Sequence, residues 1–177
     1  MCFNGGMLPA MSPEEHNASP RARLQALYER HKAALLGYAW TLTGDRHAAE
    51  DIVHDTFVAC LSQQLPATAT ELLAYVYVSI RHGAYNISRA HRTAKQARQG
   101  YAQRLFAASS GATHLPELES VLLQLPEEQR EVLFLKVFAE HSLAAIAALL
   151  QIPVGTAASR YDYAKNKLRE TLRSRSV

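Results

Sequence analysis

The stretch QIPVGTAASRYDYAKNKLRE, at residues 151–170, contains the pattern that decides the fold of its half of the chain. Pro153 and Gly155 stand two residues apart, a spacing that ends one helix and begins another. The new helix starts with small side chains and becomes strongly basic towards its end. Ahead of it, Ser142 can cap a short apolar helix. A short helix, a tight turn and a longer basic helix together predict a helix-turn-helix.

A helix-turn-helix explains why its second helix begins with small residues. A recognition helix enters the DNA major groove by its N-terminal end, where bulky side chains would block the approach and free amides can bind a phosphate. Thr156, Ala157 and Ser159 keep this end slim, and Arg160, Lys165 and Lys167 lie outside the buried stripe, where they can meet the phosphate backbone. Apolar spacing also places Ala157 on the buried stripe of this helix. A plain two-helix hairpin in a bundle is the alternative interpretation of the pattern.

The rest of the chain is predicted to be helical, because apolar residues recur at steps of three and four and strand-like alternation is absent. A first helix is expected at about 21–42, and a second, capped by Asp45, at about 46–64. A long third helix is expected at about 70–99. Its polar face carries Tyr75, Ser79, His82, Asn86 and Arg89. Rings can stack on unpaired bases and polar groups can bind base edges, although an ordinary exposed helix face fits the same residues.

A small, polar segment, AASSGATHLP at 107–116, divides the helical pattern into two parts. The sequence therefore predicts an all-α protein of two small helical domains. We expect a flexible N-terminal tail at 1–20, a first domain at 21–104, a linker at 105–116 and a second domain at 117–177.

The composition excludes several classes of protein. A hydrophobic content of 48% argues against disorder throughout. No apolar run approaches the roughly 20 residues that span a bilayer, and no secretory signal is recognisable, so we expect a cytoplasmic chain without membrane insertion. Two cysteines provide neither a disulfide framework nor a metal spacing. Without a phosphate loop or a nucleophile-plus-base motif, we expect no enzyme and no cofactor.

Charge is distributed in blocks along the chain. Six Arg and Lys residues and no acid lie at 81–104, six glutamates lie at 117–140, and a second basic block follows at 160–175. Alternating blocks are typical of a chain that contacts two polyanion sites and one further partner. Solvated helix faces are the alternative explanation for any one block.

Two long segments resemble a known family. LYERHKAALLGYAWTLTGDRHAAEDIVHDTFVACL (27–61) resembles domain 2 of the bacterial extracytoplasmic-function (group 4) sigma factors, and LPEEQREVLFLKVFAEHSLAAIAALLQIPVGTAASRYDYAKNKLRE (125–170) resembles their domain 4. The resemblance covers roughly residues 21–172 in the right order. It implies a specificity subunit that binds the clamp helices of the largest subunit of core RNA polymerase and directs initiation at promoter DNA. It also implies control by an anti-sigma factor, although nothing in the sequence identifies one.

The resemblance assigns residues to three contacts. It places Glu50, Asp51, His54 and Asp55 at the polymerase, and Tyr75, Arg81, His82, Asn86 and Arg89 at the minus-ten element. At the minus-thirty-five element it places Thr156, Ala157, Ser159, Arg160 and Tyr163, together with the cations Lys165 and Lys167. His82 and Asn86 replace the usual Asn and Asp of the family, and Ala158 replaces a common cation, so the preferred bases stay open.

Two other functions fit the same residues. A sigma-like decoy or interaction module would keep the fold and lose promoter recognition. A stand-alone helix-turn-helix regulator would bind duplex DNA as a dimer and would not need the acidic face at Glu50–Asp55.

Overall fold

The computed structural model describes residues 19–95 and 121–175, and these ranges are helical and contain no strand. The helices are α1 (Pro20–Thr43), α2 (Arg46–Leu61), α3 (Ala69–Lys95), α4 (Glu127–Val137), α5 (Leu143–Leu150) and α6 (Val154–Arg175). The predicted all-α fold is confirmed. The expected linker and almost all of the expected tail lie outside the described residues. None of the described helices is by itself long and apolar enough to cross a membrane; α5 and Val154–Thr171 pass that test only as a pair, bent by 109°.

Helix ends follow the cues in the sequence. Asp45 accepts a hydrogen bond from the amide of Ala48 at 2.8 Å, and Ser142 accepts one from the amide of Ala145 at 3.1 Å, so both predicted N-caps are confirmed. Gly44 ends α1 in the left-handed conformation with φ of 67°, which other residues adopt only with strain. The second helix ends at Leu61, three residues before the expected position.

The first half of the molecule, α1 to α3, buries most of the apolar stripes that the spacing predicts, although Leu61, expected on the buried stripe of α2, is 57% exposed. On α3, Leu73, Val76, Tyr77, Ile80 and Ala84 are at most 4% exposed. They pack against the inner faces of α1 and α2 in one cluster. Removing each such side chain from water contributes on the order of 1 to 3 kcal/mol, so this packing holds the three helices together.

The second half, α4 to α6, joins the same core. Val132, Leu135, Ile146 and Ala157 are fully buried and belong to the cluster that the first half forms. A smaller cluster, made by second-half residues, contacts Trp40 of α1. Aromatic rings also meet across the boundary, with the centroids of Tyr38 and Phe134 6.4 Å apart. The two halves therefore share a continuous apolar interface, an arrangement that we call the closed state.

Candidate polymerase- and DNA-binding surfaces

One face of α2 presents polar side chains to solvent. Glu50, Asp51, His54 and Asp55 are all exposed, whereas Ile52 and the other apolar residues of the stripe face the core. Three carboxylates at a spacing of one and four residues lie on the same side of the helix. The expected exposure of this acidic face is confirmed, and its partner stays a prediction.

An apolar groove of about 610 Å³ lies beside this face, between α1 and α2. Tyr28 and Phe57 form its floor with an edge-to-face contact whose ring centroids are 5.0 Å apart. Val58 and Leu61 are 51% and 57% exposed at its edge. Of the acidic face, Glu50 and His54 line this groove. Polar residues beside an exposed apolar groove combine orientation with contact area, which suits the docking of another protein.

The polar face of α3 is only partly open. His82 and Asn86 are exposed, as the helical spacing predicts. Tyr75 is half-buried, and its hydroxyl donates a hydrogen bond to the Gln63 side chain. Arg89 belongs to α3, but its side chain lies outside the described residues. Two of the expected minus-ten residues are therefore free to meet a base, and Tyr75 would have to leave Gln63 to do so.

Arg81 lies apart from that face and points at the second half of the chain. Its Nε donates to Oε1 of Glu131 at 2.9 Å, and its side chain is 25% exposed. The guanidinium also lies over the ring of Tyr85, 4.9 Å from the centroid. Burial acts to lower the pKa of Arg81, but Glu131, Tyr85 and Tyr38 together outweigh it, so the pKa is raised and the cation is retained.

Glu131 is the centre of a polar cluster between the two halves. Its side chain is 1% exposed, and its Oε1 accepts a second hydrogen bond, at 2.7 Å, from the hydroxyl of Tyr38. Burial raises the pKa of Glu131, while the Tyr38 hydroxyl and the charge of Arg81 act against that rise. A buried carboxylate is tolerated here because two donors from the first half bind one of its oxygens.

The sequence analysis missed Glu131, because Tyr38 and Arg81 lie 93 and 50 residues away from it. One signal was present. Glu131 precedes Leu135 by four residues, so it shares a helix face with a core position.

Arg130 makes a second polar contact between the halves. Its Nε donates to the carbonyl of Thr41 at 2.7 Å, and Nη1 donates to the carbonyls of Leu123 and Leu125 at 3.4 and 3.3 Å. Thr41 lies in the last turn of α1, where carbonyls lack a partner within the helix. Burial lowers the pKa of Arg130. Arg130 therefore provides a hydrogen-bond donor to a carbonyl at the end of a helix in the other half of the molecule.

His141 lies at the same junction. Its ring meets Tyr77 edge to face, with centroids 5.1 Å apart, and its buried Nε2 has no hydrogen-bond partner. Burial and the nearby charge of His31 lower the pKa of His141. Within residues 19–95 and 121–175, no three side chains of His, Cys, Asp or Glu lie close enough together to hold a metal ion.

The N-terminal end of α6 is slim, as the sequence predicts, with one correction. A Cβ placed on Gly155 would meet no atom within 4 Å, and Ser159 is exposed. Thr156 is half-buried, while Tyr163 is 68% exposed. Ala157, which we expected both at the DNA and on the buried stripe, is fully enclosed by the core. Its side chain therefore packs the fold and does not reach DNA.

Cations on α6 are partly neutralised by neighbours. Arg160 forms an ion pair with Glu128 of α4, and Lys165 pairs with Asp162 at 2.8 Å. Lys165 also lies over the ring of Tyr161, 5.3 Å from the centroid. Lys167 is exposed. Any phosphate contact by Arg160 or Lys165 would replace an existing ion pair.

Two models of one family match the chain, in the order that the resemblance requires. Sigma-70 region 2 matches residues 27–94, and Sigma-70 region 4 matches residues 115–168. The extracytoplasmic-function RNA polymerase sigma factor SigL of Mycobacterium tuberculosis is 29% identical over an alignment of 177 positions, which covers 90% of this chain and 94% of that relative. The chain belongs to the extracytoplasmic-function sigma factors. The predicted family is confirmed.

Other relatives of this sigma factor agree in sequence and in fold. EcfG of Rhodopseudomonas palustris, of the same family, is 28% identical over an alignment of 145 positions, which covers 76% of this chain and 77% of the relative. The sigma factor RpoE, solved with the anti-sigma factor NepR from Bartonella quintana, superposes with a TM-score of 0.62 at 24% identity and covers 86% of this chain and 92% of that one. CnrH, solved with the cytosolic domain of CnrY, superposes with a TM-score of 0.62 at 23% identity and covers 91% of this chain and 94% of that one. These two structures establish the similarity of fold.

Proposed function

We propose that this sigma factor binds core RNA polymerase through the acidic face of α2 and directs initiation through two DNA-binding surfaces. The polymerase contact consists of Glu50, Asp51, His54 and Asp55, docked on the clamp helices of the largest polymerase subunit. The observation that carries this assignment is their common exposure on α2, where Glu50 and His54 also line the apolar groove between α1 and α2. Exposed charges steer association and fix orientation, while an apolar groove provides contact area.

The minus-ten surface lies on α3. His82 and Asn86 are exposed and carry hydrogen-bonding groups suited to the edges of unstacked bases. Tyr75 offers a ring for stacking, and Arg81 and Arg89 would neutralise phosphates. Captured bases offset the free energy of unstacking, so promoter melting needs no chemical step.

The minus-thirty-five surface lies at the start of α6. Thr156 and Ser159 border the open space at Gly155, where the helix end can approach a major groove. Arg160, Lys165 and Lys167 would contact the phosphate backbone, and Tyr163 is placed to join them. Arg160 and Lys165 must give up an ion pair to bind phosphate, which weakens these contacts. Binding to phosphate also releases counterions from DNA, so we expect it to weaken as salt rises.

We also infer that the two domains have different roles and that the chain has a regulatory protein partner. Residues 21–104 act as sigma domain 2 and residues 117–177 as sigma domain 4, joined by 105–116. RpoE and CnrH were solved in complex with NepR and with the cytosolic domain of CnrY, and we propose a protein of the anti-sigma type as a regulatory partner of this chain as well. The chain works in the cytoplasm, beside polymerase and DNA, and catalyses no reaction of its own.

Replacing two acids tests the polymerase contact. The double variant Asp51→Ala and Asp55→Ala should lower affinity for the matching core polymerase by roughly tenfold or more, because interfacial charge pairs contribute on the order of 1.5 kcal/mol or more each. Run-off transcription from a library of genomic promoters should fall in parallel. The control variant Glu29→Ala and Glu140→Ala removes two exposed acids elsewhere and should leave both measurements unchanged.

The outcome separates the candidate functions. Loss of polymerase binding and of transcripts supports the sigma factor with this docking face. Polymerase binding without any promoter-specific transcript, in the unmodified chain, would favour the decoy. Unchanged polymerase binding in the Asp51 and Asp55 variant would contradict the assignment of the acidic face.

A further inference from the structure

The closed state is too compact to bind both promoter elements together. Elements centred near minus ten and minus thirty-five lie about 25 base pairs apart, which is roughly 85 Å at 3.4 Å per base pair. A compact chain of 177 residues has a radius of gyration of about 16 Å and hence a diameter on the order of 40 Å. The two halves must therefore separate before α3 and α6 can each reach an element.

The contacts between the halves also compete with DNA at one residue. Arg81, which the proposed function places at the minus-ten element, directs its Nε at Oε1 of Glu131. Nη2 of Arg81 also donates to the Tyr85 hydroxyl at 3.4 Å, and the guanidinium lies over the Tyr85 ring. Arg81 must therefore leave both partners before its full set of N–H donors can bind a phosphate or a base. The acids of α2, in contrast, are exposed in the same arrangement. The closed state thus leaves the polymerase face open while it covers a DNA contact.

We propose that Glu131 is an intramolecular latch, which closes the molecule by binding Arg81 and Tyr38 and so withholds Arg81 from promoter DNA until the halves separate. The inference rests on the proposed role of Arg81 in the minus-ten surface. It makes the carboxylate of Glu131 a substitute, within the chain, for the anionic groups of DNA.

The position of Glu131 supports a switching role more than a purely stabilising one. A buried ion pair is often no more stable than apolar residues of the same volume, because desolvation offsets the attraction. Its neighbours Val132 and Leu135 are apolar and fully buried, so an apolar residue at 131 would suit a permanent interface. A pair whose two partners come from different halves is strong only while the halves stay together. Opening returns both charges to water, where Arg81 can bind DNA.

Trp40 reports whether the molecule is open. It is the single tryptophan of the sequence, it lies on α1, and it packs against the second-half cluster of Leu122, Leu125, Leu133 and Ala164. Its indole nitrogen is buried. Separation of the halves would expose this ring to a neutral quencher, acrylamide, and shift its emission to longer wavelength.

The test uses the full chain with Glu131→Gln and the matched control Glu140→Gln, which removes the same charge from an exposed position in the same half. We expect Glu131→Gln to raise the ratio of open to closed molecules by roughly tenfold or more, the change expected when a charge-assisted hydrogen bond in a buried site is lost. Acrylamide quenching of Trp40 should rise accordingly. Tyr38→Phe keeps the ring and removes the second donor, so it should shift the ratio in the same direction by less.

A second measurement follows the affinity for single-stranded DNA. Binding of a fluorescein-labelled, mixed-sequence single-stranded 25-mer should strengthen in Glu131→Gln, because apparent affinity rises with the fraction of molecules that are competent to bind. Adding Arg81→Ala to Glu131→Gln should cancel the gain in DNA affinity and keep the high quenching. Circular dichroism verifies that each variant retains its helices.

The two measurements test separate parts of the proposal. Quenching of Trp40 that is the same in Glu131→Gln, Tyr38→Phe and the unmodified chain would overturn the latch. Increased quenching with no gain in DNA affinity would overturn the role of Arg81 at DNA, and with it the withholding of Arg81. Neither result would affect the polymerase contact, which the Asp51 and Asp55 variant tests independently.

Discussion

Two groups of carboxylates in this sigma factor occupy opposite environments. Glu50, Asp51 and Asp55 lie in water on one face of α2, whereas Glu131 of α4 is 1% exposed and binds Tyr38 and Arg81. The acids on α2 keep their hydration and are available to a partner at little cost to the fold. Glu131 has lost its hydration and depends on donors from the other half of the chain. The same chemical group is therefore suited to docking in one place and to closure in the other.

The largest expected difference between the two groups is in stability. Glu131→Ala leaves the Tyr38 hydroxyl and the Arg81 guanidinium without their acceptor, so we expect the free energy of unfolding to fall by about 2 to 3 kcal/mol, below the value for fully buried pairs because Arg81 can recover some water. Asp51→Ala should change it by less than about 0.5 kcal/mol. Urea titrations followed by circular dichroism measure both. Equal losses would remove the distinction between the two environments.

A steric change at the same interface should have a smaller effect. A Cβ on Gly37 of α1 would lie 2.6 Å from Cζ of Phe134 in α4, so Gly37→Ala must displace that ring. Overpacking costs on the order of 1 to 3 kcal/mol, and the better helix propensity of Ala returns about 1 kcal/mol, so we expect a net loss of about 1 kcal/mol with greater quenching of Trp40.

Gly83→Ala is the control for that variant. Its Cβ would meet only Ile52, at 3.1 Å and within the first half, so the protection of Trp40 should not change. Quenching that rises equally in both variants would mean that Gly37→Ala disturbs α1 in general and does not act through the interface.

The smallest expected effect concerns pH. Burial and the charge of His31 lower the pKa of His141 below its ordinary value of 6.5, so the unfolded or open chain takes up a proton more readily than the closed one. The contribution of His141 to stability is present above pH 6.5 and is lost as the pH falls through its lower, closed-state pKa. We expect thermal melting curves between pH 7.5 and 5.5 to shift less in His141→Phe, which keeps a ring against Tyr77.

The comparison with the unmodified chain isolates His141 from other titrating groups. His31, whose pKa burial also lowers, acts in the same direction, whereas Glu131, whose pKa burial raises, acts in the opposite one. Both are present in the two proteins. A pH dependence that is identical in His141→Phe and in the unmodified chain would exclude His141 as its source.

Local signals made much of this architecture predictable. Helix positions, the caps at Asp45 and Ser142 and the exposed acids of α2 depend on residues within about four positions of one another, where helical periodicity is informative. Ala157 shows the limit of local signals. A small residue suits a slim DNA-facing helix end and a tight core equally well, and only the observed packing of Ala157 against the core decides between the two.

Contacts between distant residues could not be predicted in this way. From the sequence, Arg160 is expected to be a free cation. In the structure it pairs with Glu128, which lies 32 residues earlier in the chain. The pairing of Glu131 with Tyr38 and Arg81 depends on how the two halves dock, and helical spacing contains no information about that docking. The interface between the halves, including the sequestered state of Arg81, therefore emerged only from the structure.

Arg130 connects this interface to the polymerase face. It donates to the carbonyl of Thr41, four residues before Asp45, whose side chain caps α2. Docking of the second half thus completes the last turn of one helix next to the first turn of the helix that carries Glu50, Asp51 and Asp55. Coupling between two binding events is reciprocal. If polymerase reshapes this turn when it binds α2, it weakens the Arg130 contact, and the Arg130 contact opposes polymerase binding by the same free energy.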